Sequence, residues 1–213
     1  VVEAYQKNRW QELQSLIPLH GAILDMVVKH LPNPVEAQRC RIPKIWKGDI
    51  ESEVGQAMLR SADDGPTVMG ITTAQADPSA GLIATGRLFS GSVSEGDQVY
   101  LVGARKGYRV RQVSMYMGAF REVVNRIVAG NIAALFGLDL ARAGETLVDA
   151  THKDTMVPFE RVKYVSEPVI TVAVEPGHPR DLPRLVDVMH RLAIEDPSLV
   201  ATINKETGEY MLS

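Results

Sequence analysis

The chain reads as a mixed α and β protein of several domains: helices first, then a closed antiparallel β-barrel, then an incomplete ferredoxin-like α+β domain. Three observations predict this. Apolar residues recur at helical spacing as far as His30. Between Thr67 and Val148, short β-prone runs alternate with glycine-bearing turns. After Val157 a strand, a helix and a hairpin follow one another.

Trp10, Leu13, Leu16 and Ile17 fall at helical spacing and predict one helix over 3–17. Pro18 resets the chain. Leu19, Ala22, Ile23, Met26, Val27 and His30 then predict an amphipathic helix. Leu31-Pro32-Asn33-Pro34 ends it, because proline has no amide hydrogen and disfavours helix at the residue before it. Residues 41–48 are expected as an extended linker. Strands are expected at 67–75, 82–93, 98–102, 108–117, 123–128, 131–136 and 145–147, with turns at 77–81, 94–97, 103–107 and 143–144. Closing them into a barrel would remove the unpaired edges that invite aggregation.

The β-formers at 169–174 predict a further strand. Asp181 is expected to cap a helix that presents Leu182, Leu185, Val186, Met189, Leu192 and Ala193 on one face. Strands at 199–204 and 209–212 flank a hairpin turn at 205–208. Strand–helix–strand–strand is the front of a split βαβ unit, expected to stop before its second helix. The division predicted is 1–47, 48–157 and 158–213. Exposed apolar faces on the last part predict self-association through it.

The 213 residues are 45% hydrophobic and 23% charged, which excludes a disordered chain. Lys+Arg 23 against Asp+Glu 26 leaves a net charge of -3, so any RNA contact must be local. Cys40 is the single cysteine, reads as an inert small residue, and points to an intracellular, cytoplasmic setting. The longest apolar stretch, 127–138, is interrupted by Asn131 and is too short to cross a membrane. An opening without methionine and a close directly after a strand make both ends read as cuts in a longer chain.

A phosphate loop needs Gly-Lys followed by a hydroxyl residue, which does not occur here. Asn204-Lys205-Glu206-Thr207 imitates half of a guanine-recognition motif, but Thr207 cannot accept the bidentate pair from the base. His20, His30, His152, His178 and His190 make no pair at metal-ligand spacing. Asp63-Asp64 beside Gly65-Pro66 reads as a solvated loop, and no nucleophile elbow is present. No catalytic, cofactor or metal site is therefore expected. Two binding candidates remain. Arg105, Lys106, Arg109 and Arg111 cluster at one hairpin and could meet a phosphate backbone or simply be solvated. In Thr85-Gly86-Arg87-Leu88-Phe89-Ser90-Gly91 the glycines admit another backbone and Arg87 could reach a phosphate, although a barrel corner explains them too.

The stretch Gly81–Asp97 that contains this segment, with Ala129-Gly-Asn-Ile-Ala-Ala134 and Ala143-Gly-Glu-Thr146, resembles the β-barrel second domain of translational GTPases. Ser166-Glu-Pro-Val-Ile-Thr-Val-Ala-Val-Glu-Pro176, Glu195-Asp-Pro-Ser198 and Glu206-Thr-Gly-Glu209 are similar to the third domain of the translocase branch. Leu24–Gln38 and Arg41-Ile-Pro-Lys-Ile-Trp-Lys-Gly-Asp49 resemble the archaeal-type elongation factor 2 family in particular. The resemblance implies an internal stretch of a ribosomal translocase: the tail of its GTPase domain, its barrel and part of its third domain. It implies GTP and Mg2+ elsewhere in the whole protein, and a ribosome partner reached through small-subunit RNA and a small-subunit protein. Gly86, Arg87, Ser90 and Gly91 would form the RNA contact. Cys40 departs from the family, which usually has an aromatic residue there. The rival reading is a stand-alone RNA- or protein-binding barrel.

Overall fold

The computed structural model describes residues 1–77, 81–118, 120–160, 170–196, 198–203 and 209–213. They form two compact units, Val1–Ala37 and Gln38–Ser213.

The single helix expected over 3–17 is instead two, α1 (Val2–Gln6) and α2 (Trp10–Leu16). Asn8 makes the break at φ +52°, a left-handed conformation that asparagine tolerates and a helix interior does not. The turn brings the rings of Tyr5 and Trp10 edge to face, 5.7 Å apart. The next helix, α3 (Leu19–His30), agrees with its expectation, and Leu31 leaves it extended as a residue before proline must.

The linker expected at 41–48 is a second departure, because α4 (Pro34–Ile45) is helical almost to its end. Pro34 brings a preset φ to the first turn, and Asn33 Oδ1 accepts from the Glu36 amide at 2.9 Å. Pro43 removes one donor near the helix end without stopping it. A short helix α5 (Glu53–Arg60) follows, capped by Ser52 Oγ on the Gly55 amide at 3.2 Å.

Every run read as strand between Thr67 and Val148 contains strand, and several divide. The elements are β1 (Val68–Asp77), β2 (Gly81–Ser90), β3 (Ser92–Ser94), β4 (Gln98–Leu101) and β5 (Lys106–Arg109). Then come β6 (Gln112–Met117), β7 (Phe120–Val123), β8 (Arg126–Val128), β9 (Ile132–Phe136) and β10 (Thr146–Asp149). Eight form one antiparallel sheet in the order β5-β4-β10-β1-β2-β9-β6-β7, while β3 and β8 pair separately. The sheet is not closed, which corrects the expected barrel. The run expected as one strand over 108–117 breaks at Val110 and Arg111. Their amides turn to the carbonyls of Asp97 and Phe136, each at 2.9 Å. Neither edge, β5 or β7, pairs with the other. Both edges carry charge instead, Lys106 and Arg109 on one, Arg121 and Glu122 on the other, a common device against edge-to-edge pairing.

The sheet coils around an inner core that includes Met69, Leu88, Val93, Leu101, Leu135 and Leu147. A second core lies on its other face, where Val68 and Val148 meet Ile42 and Trp46 from the α4 segment, Val54 and Met58 of α5, and Met156. Strand alternation explains this, since Val68 and Met69 must point to opposite faces. Trp46 Nε1 donates to the Val157 carbonyl at 2.6 Å.

Beyond it lie β11 (Val172–Val174), a 3-10 turn at Pro179–Asp181, α6 (Leu182–Glu195), β12 (Ala201–Ile203) and β13 (Tyr210–Leu212). The three strands pair antiparallel in the order β11-β13-β12, as the front of a split βαβ unit requires. Asp181 makes no capping hydrogen bond, contrary to expectation; it closes the 3-10 turn in helical conformation. Met189 is buried on the expected helix face, whereas Leu182 and Leu192 stay more than a third exposed. The hairpin turn at 205–208, the guanine-motif imitation and the centre of the 77–81 turn fall outside the described residues.

Asp149 ends β10 and gathers four donors. It accepts from the Thr67 amide at 2.9 Å, the Thr151 and His152 amides at 3.0 Å each, and the Thr151 hydroxyl. His152 Nδ1 lies 2.7 Å from the same carboxylate. Burial raises the Asp149 pKa, but these hydrogen bonds outweigh it and hold the carboxyl below its ordinary value of 3.8. A depressed folded pKa contributes stability that is complete above the unfolded value and is lost as pH falls through the folded one. Asp149→Asn should therefore be less stable than the native chain at pH 7. Its urea midpoint should also fall less between about pH 4 and pH 2, the range below the ordinary carboxyl pKa.

Candidate nucleic-acid interface

The segment Gly86-Arg87-Leu88-Phe89-Ser90-Gly91 ends β2, a central strand between β1 and β9. Two register shifts mark the β1–β2 ladder: Val68 faces Ser90 while Met69 faces Leu88, and Ile71 faces Gly86 while Thr73 faces Thr85. Phe89 and Thr72 are thus the extra, unpaired residues of two bulges. Gly86 is buried between them. A Cβ there would lie 2.2 Å from the Gly70 carbonyl oxygen and 2.8 Å from Ile71 Cα. Its glycine serves the neighbouring strand. Ser90 is fully buried, and its hydroxyl donates to the Pro66 carbonyl at 2.6 Å. Gly91 turns at φ +73°, against Thr67, and its amide donates to the Ala62 carbonyl at 2.7 Å. Three of the four candidate residues therefore build the corner, and Arg87 alone offers a group outward.

Arg87 is half-buried in a cleft of ≈380 Å³ that is also lined by Arg41, Thr72, Phe89, Glu145 and Phe159. Phe89 and Phe159 form its apolar floor, ring centroids 4.9 Å apart. Burial, and then the charge of Arg41, lower the Arg87 pKa from its usual value. Among the described residues neither arginine forms an ion pair. The expected linker at 41–48 gives Arg41 no place at this cleft; Asn33-Pro34, a helix start, is the sequence signal that carries it there.

The second candidate set sits elsewhere. Arg105 takes the left-handed position of the β4–β5 hairpin at φ +51°. Lys106 stacks on the Tyr108 ring at 5.2 Å, and Arg109 Nε donates to the Gly96 carbonyl at 3.1 Å. Lys106, Arg109 and Arg111 line a polar cleft of ≈580 Å³ together with Glu95 and Asp139. Three strands separate β5 from β2, about 19 Å along the sheet at the usual strand spacing. The two basic sets are distinct sites. Among the described residues no group of three His, Cys, Asp or Glu could hold a metal ion, and no helix is long and apolar enough to cross a membrane.

The family model for Elongation factor Tu domain 2 matches residues 81–148, and that for Elongation Factor G, domain III, matches 165–213. The chain is 58% identical to elongation factor 2 of Staphylothermus marinus, 54% to that of Aeropyrum pernix and 53% to that of Metallosphaera sedula. Each match covers 100% of this chain and 29% of the relative's length.

If Gly86 answers to β1 and not to a ligand, Gly86→Ala should act on folding. An added methyl against backbone is overpacking, at about 1–3 kcal/mol. A lowered urea midpoint would show it, whereas unchanged stability would return Gly86 to the list of binding residues.

Proposed function

Since the chain belongs to the elongation factor 2 family, we propose that it is the ribosome-contacting, motion-transmitting part of a cytoplasmic, GTP-dependent translocase. The observation that carries this reading is the match over 100% of the chain to elongation factor 2 proteins. The whole protein would be a ribosome-dependent GTPase that moves tRNA and mRNA through one step, its GTP and Mg2+ held by residues other than these. Residues 1–47 would belong to the GTPase domain, 48–157 to the β domain and 158–213 to the third domain. The sheet would anchor on small-subunit RNA while the domain carrying α6 turns with the nucleotide state and meets a small-subunit protein, a rigid-body switch.

Arg87 is the residue of the family-implied set with a free charge to offer RNA, and the Arg105 hairpin offers a second, separate basic contact. Ribosome pelleting of the native chain and of Arg87→Ala across a salt series tests the first. Loss of one phosphate contact should weaken binding and lower the slope of log affinity against log salt by about one. Equal affinity and slope would refute the contact.

Apolar surface on the last domain supports self-association through it. Ile170 is 72% and Ile203 54% exposed, and a ≈410 Å³ cleft beneath α6 is lined by Val186, Met189, Ala201, Ile203 and Tyr210. Sedimentation equilibrium should show concentration-dependent dimers that Ile203→Lys abolishes; a monomer at all concentrations would count against it.

A further inference from the structure

We propose that the cleft between α4 and β2 binds a phosphate group, held jointly by the guanidiniums of Arg41 and Arg87. The inference rests on the reading of Arg87 as a ribosomal contact and extends it, adding a second binding residue from a different element and a defined ligand chemistry.

Two arginines share one ≈380 Å³ cleft, and neither has a carboxylate partner among the described residues. The acidic groups of the cleft do not serve them. Glu145 is 5% exposed, and its Oε1 accepts from the Gly103 amide at 2.6 Å and the Thr146 amide at 3.3 Å. Glu160 is exposed at the rim. Both guanidiniums line the cleft; burial, and then the charge of Arg41, disfavour the charged form of Arg87, so the two like charges repel. An anion between them turns that repulsion into attraction. Guanidinium matches a tetrahedral phosphate through paired N–H donors, which an ammonium cannot do.

The arrangement is built, not incidental to two flexible side chains. Gln38 Nε2 donates to the carbonyls of Met58 and Phe89, the latter at 2.8 Å, so α4 is fixed to the bulge of β2. Arg41 follows Gln38 by three residues and shares its helix face. Both bulge residues, Thr72 and Phe89, line the same cleft. Phe159 is set into it by its amide, which donates to Thr146 Oγ1 at 2.9 Å.

The phosphate could be a diester of RNA or a free anion, and two experiments separate these sources. In the first, the full chain with 15N-labelled arginine is titrated with inorganic pyrophosphate, following side-chain Nε–H resonances. Arg41 and Arg87 should shift together and saturate, and Arg41→Gln should abolish the shift at Arg87. No saturable shift, or an Arg87 shift that survives Arg41→Gln, overturns the proposal. In the second, Arg41→Gln, Arg87→Gln and the double variant are pelleted with ribosomes across a salt series. Each single change should lower the salt slope by about one, and both together by about two. A response to Arg87→Gln but not to Arg41→Gln overturns the shared site and leaves the Arg87 contact standing. Saturable pyrophosphate binding with no ribosomal effect of either variant supports the site for a free phosphate and refutes the ribosomal contact. Unaltered backbone spectra in each variant show that the fold is intact.

Discussion

One buried side chain joins the helical segment to the sheet. Gln38 is 1% exposed, and its amide nitrogen serves two main-chain carbonyls, Met58 at the core-facing side of α5 and Phe89 at the end of β2. The Phe89 carbonyl belongs to a residue displaced from the ladder by a bulge. Gln38 supplies this part-buried carbonyl with a donor, and such a hydrogen bond contributes about 0.5–1.5 kcal/mol. The oxygen of the same amide has no partner among the described residues, and a flipped amide would place it against two carbonyls. The orientation is therefore forced. Through it α4 is fixed in rotation, Ile42 and Trp46 drop into the outer core, and Arg41 comes to rest beside Arg87.

The bulges and the glycine between them act together. Gly86 lets β1 and β2 approach too closely for any side chain, next to Leu88 and Met69 of the inner core. The extra residues Thr72 and Phe89 absorb the resulting mismatch and turn toward the opposite face. Arg87 lies between them on that face, so the bulges of the sheet and the cleft around the arginine have one origin. A corner built for backbone packing thereby carries a single outward charge over aromatic rings. That is why three residues of one short motif pack into the corner while the charge of the fourth stays in the cleft.

Much of this was legible in the sequence, and the failures have physical causes. Glycine-bearing turns and β-branched runs located most strands of the sheet because these signals are local, but β7 meets the expected run 123–128 only at Val123. Closure was not legible. It depends on whether 108–117 stays straight, and Val110 and Arg111 break it by bonding to Asp97 and Phe136, residues distant in sequence. The helix at Pro34–Ile45 was hidden by Pro43, a residue that usually ends helices but sits here near a natural end. Asp181 looked like a cap because the 3-10 turn before α6 has no strong composition of its own. At the candidate site, Gly86, Ser90 and Gly91 have packing roles that the sequence does not distinguish from binding ones: a glycine needed for close approach looks the same whether the approaching backbone is a neighbouring strand or a ligand. Arg41 could not be linked to Arg87 by spacing, since 46 positions separate them and only the fold closes the gap.

The eight-stranded and three-stranded sheets of the second unit differ in how they are held, and the difference suits the proposed mechanics. The large sheet has long central strands, two cores and a helix bolted to its outer face. The small sheet has three strands of three residues each, one buried helix residue and apolar side chains left in the open. Among the described residues, Glu195 Oε1 at the end of α6 accepts from the Ala76 amide at 2.8 Å near the exposed end of β1. A hydrogen bond to a carboxylate contributes about 1.5–3 kcal/mol, and α6 also packs against β1 beside it. A sheet braced by two cores, followed by a smaller one with open apolar surface, suits the proposed relay, in which the anchor must not deform when the neighbour turns.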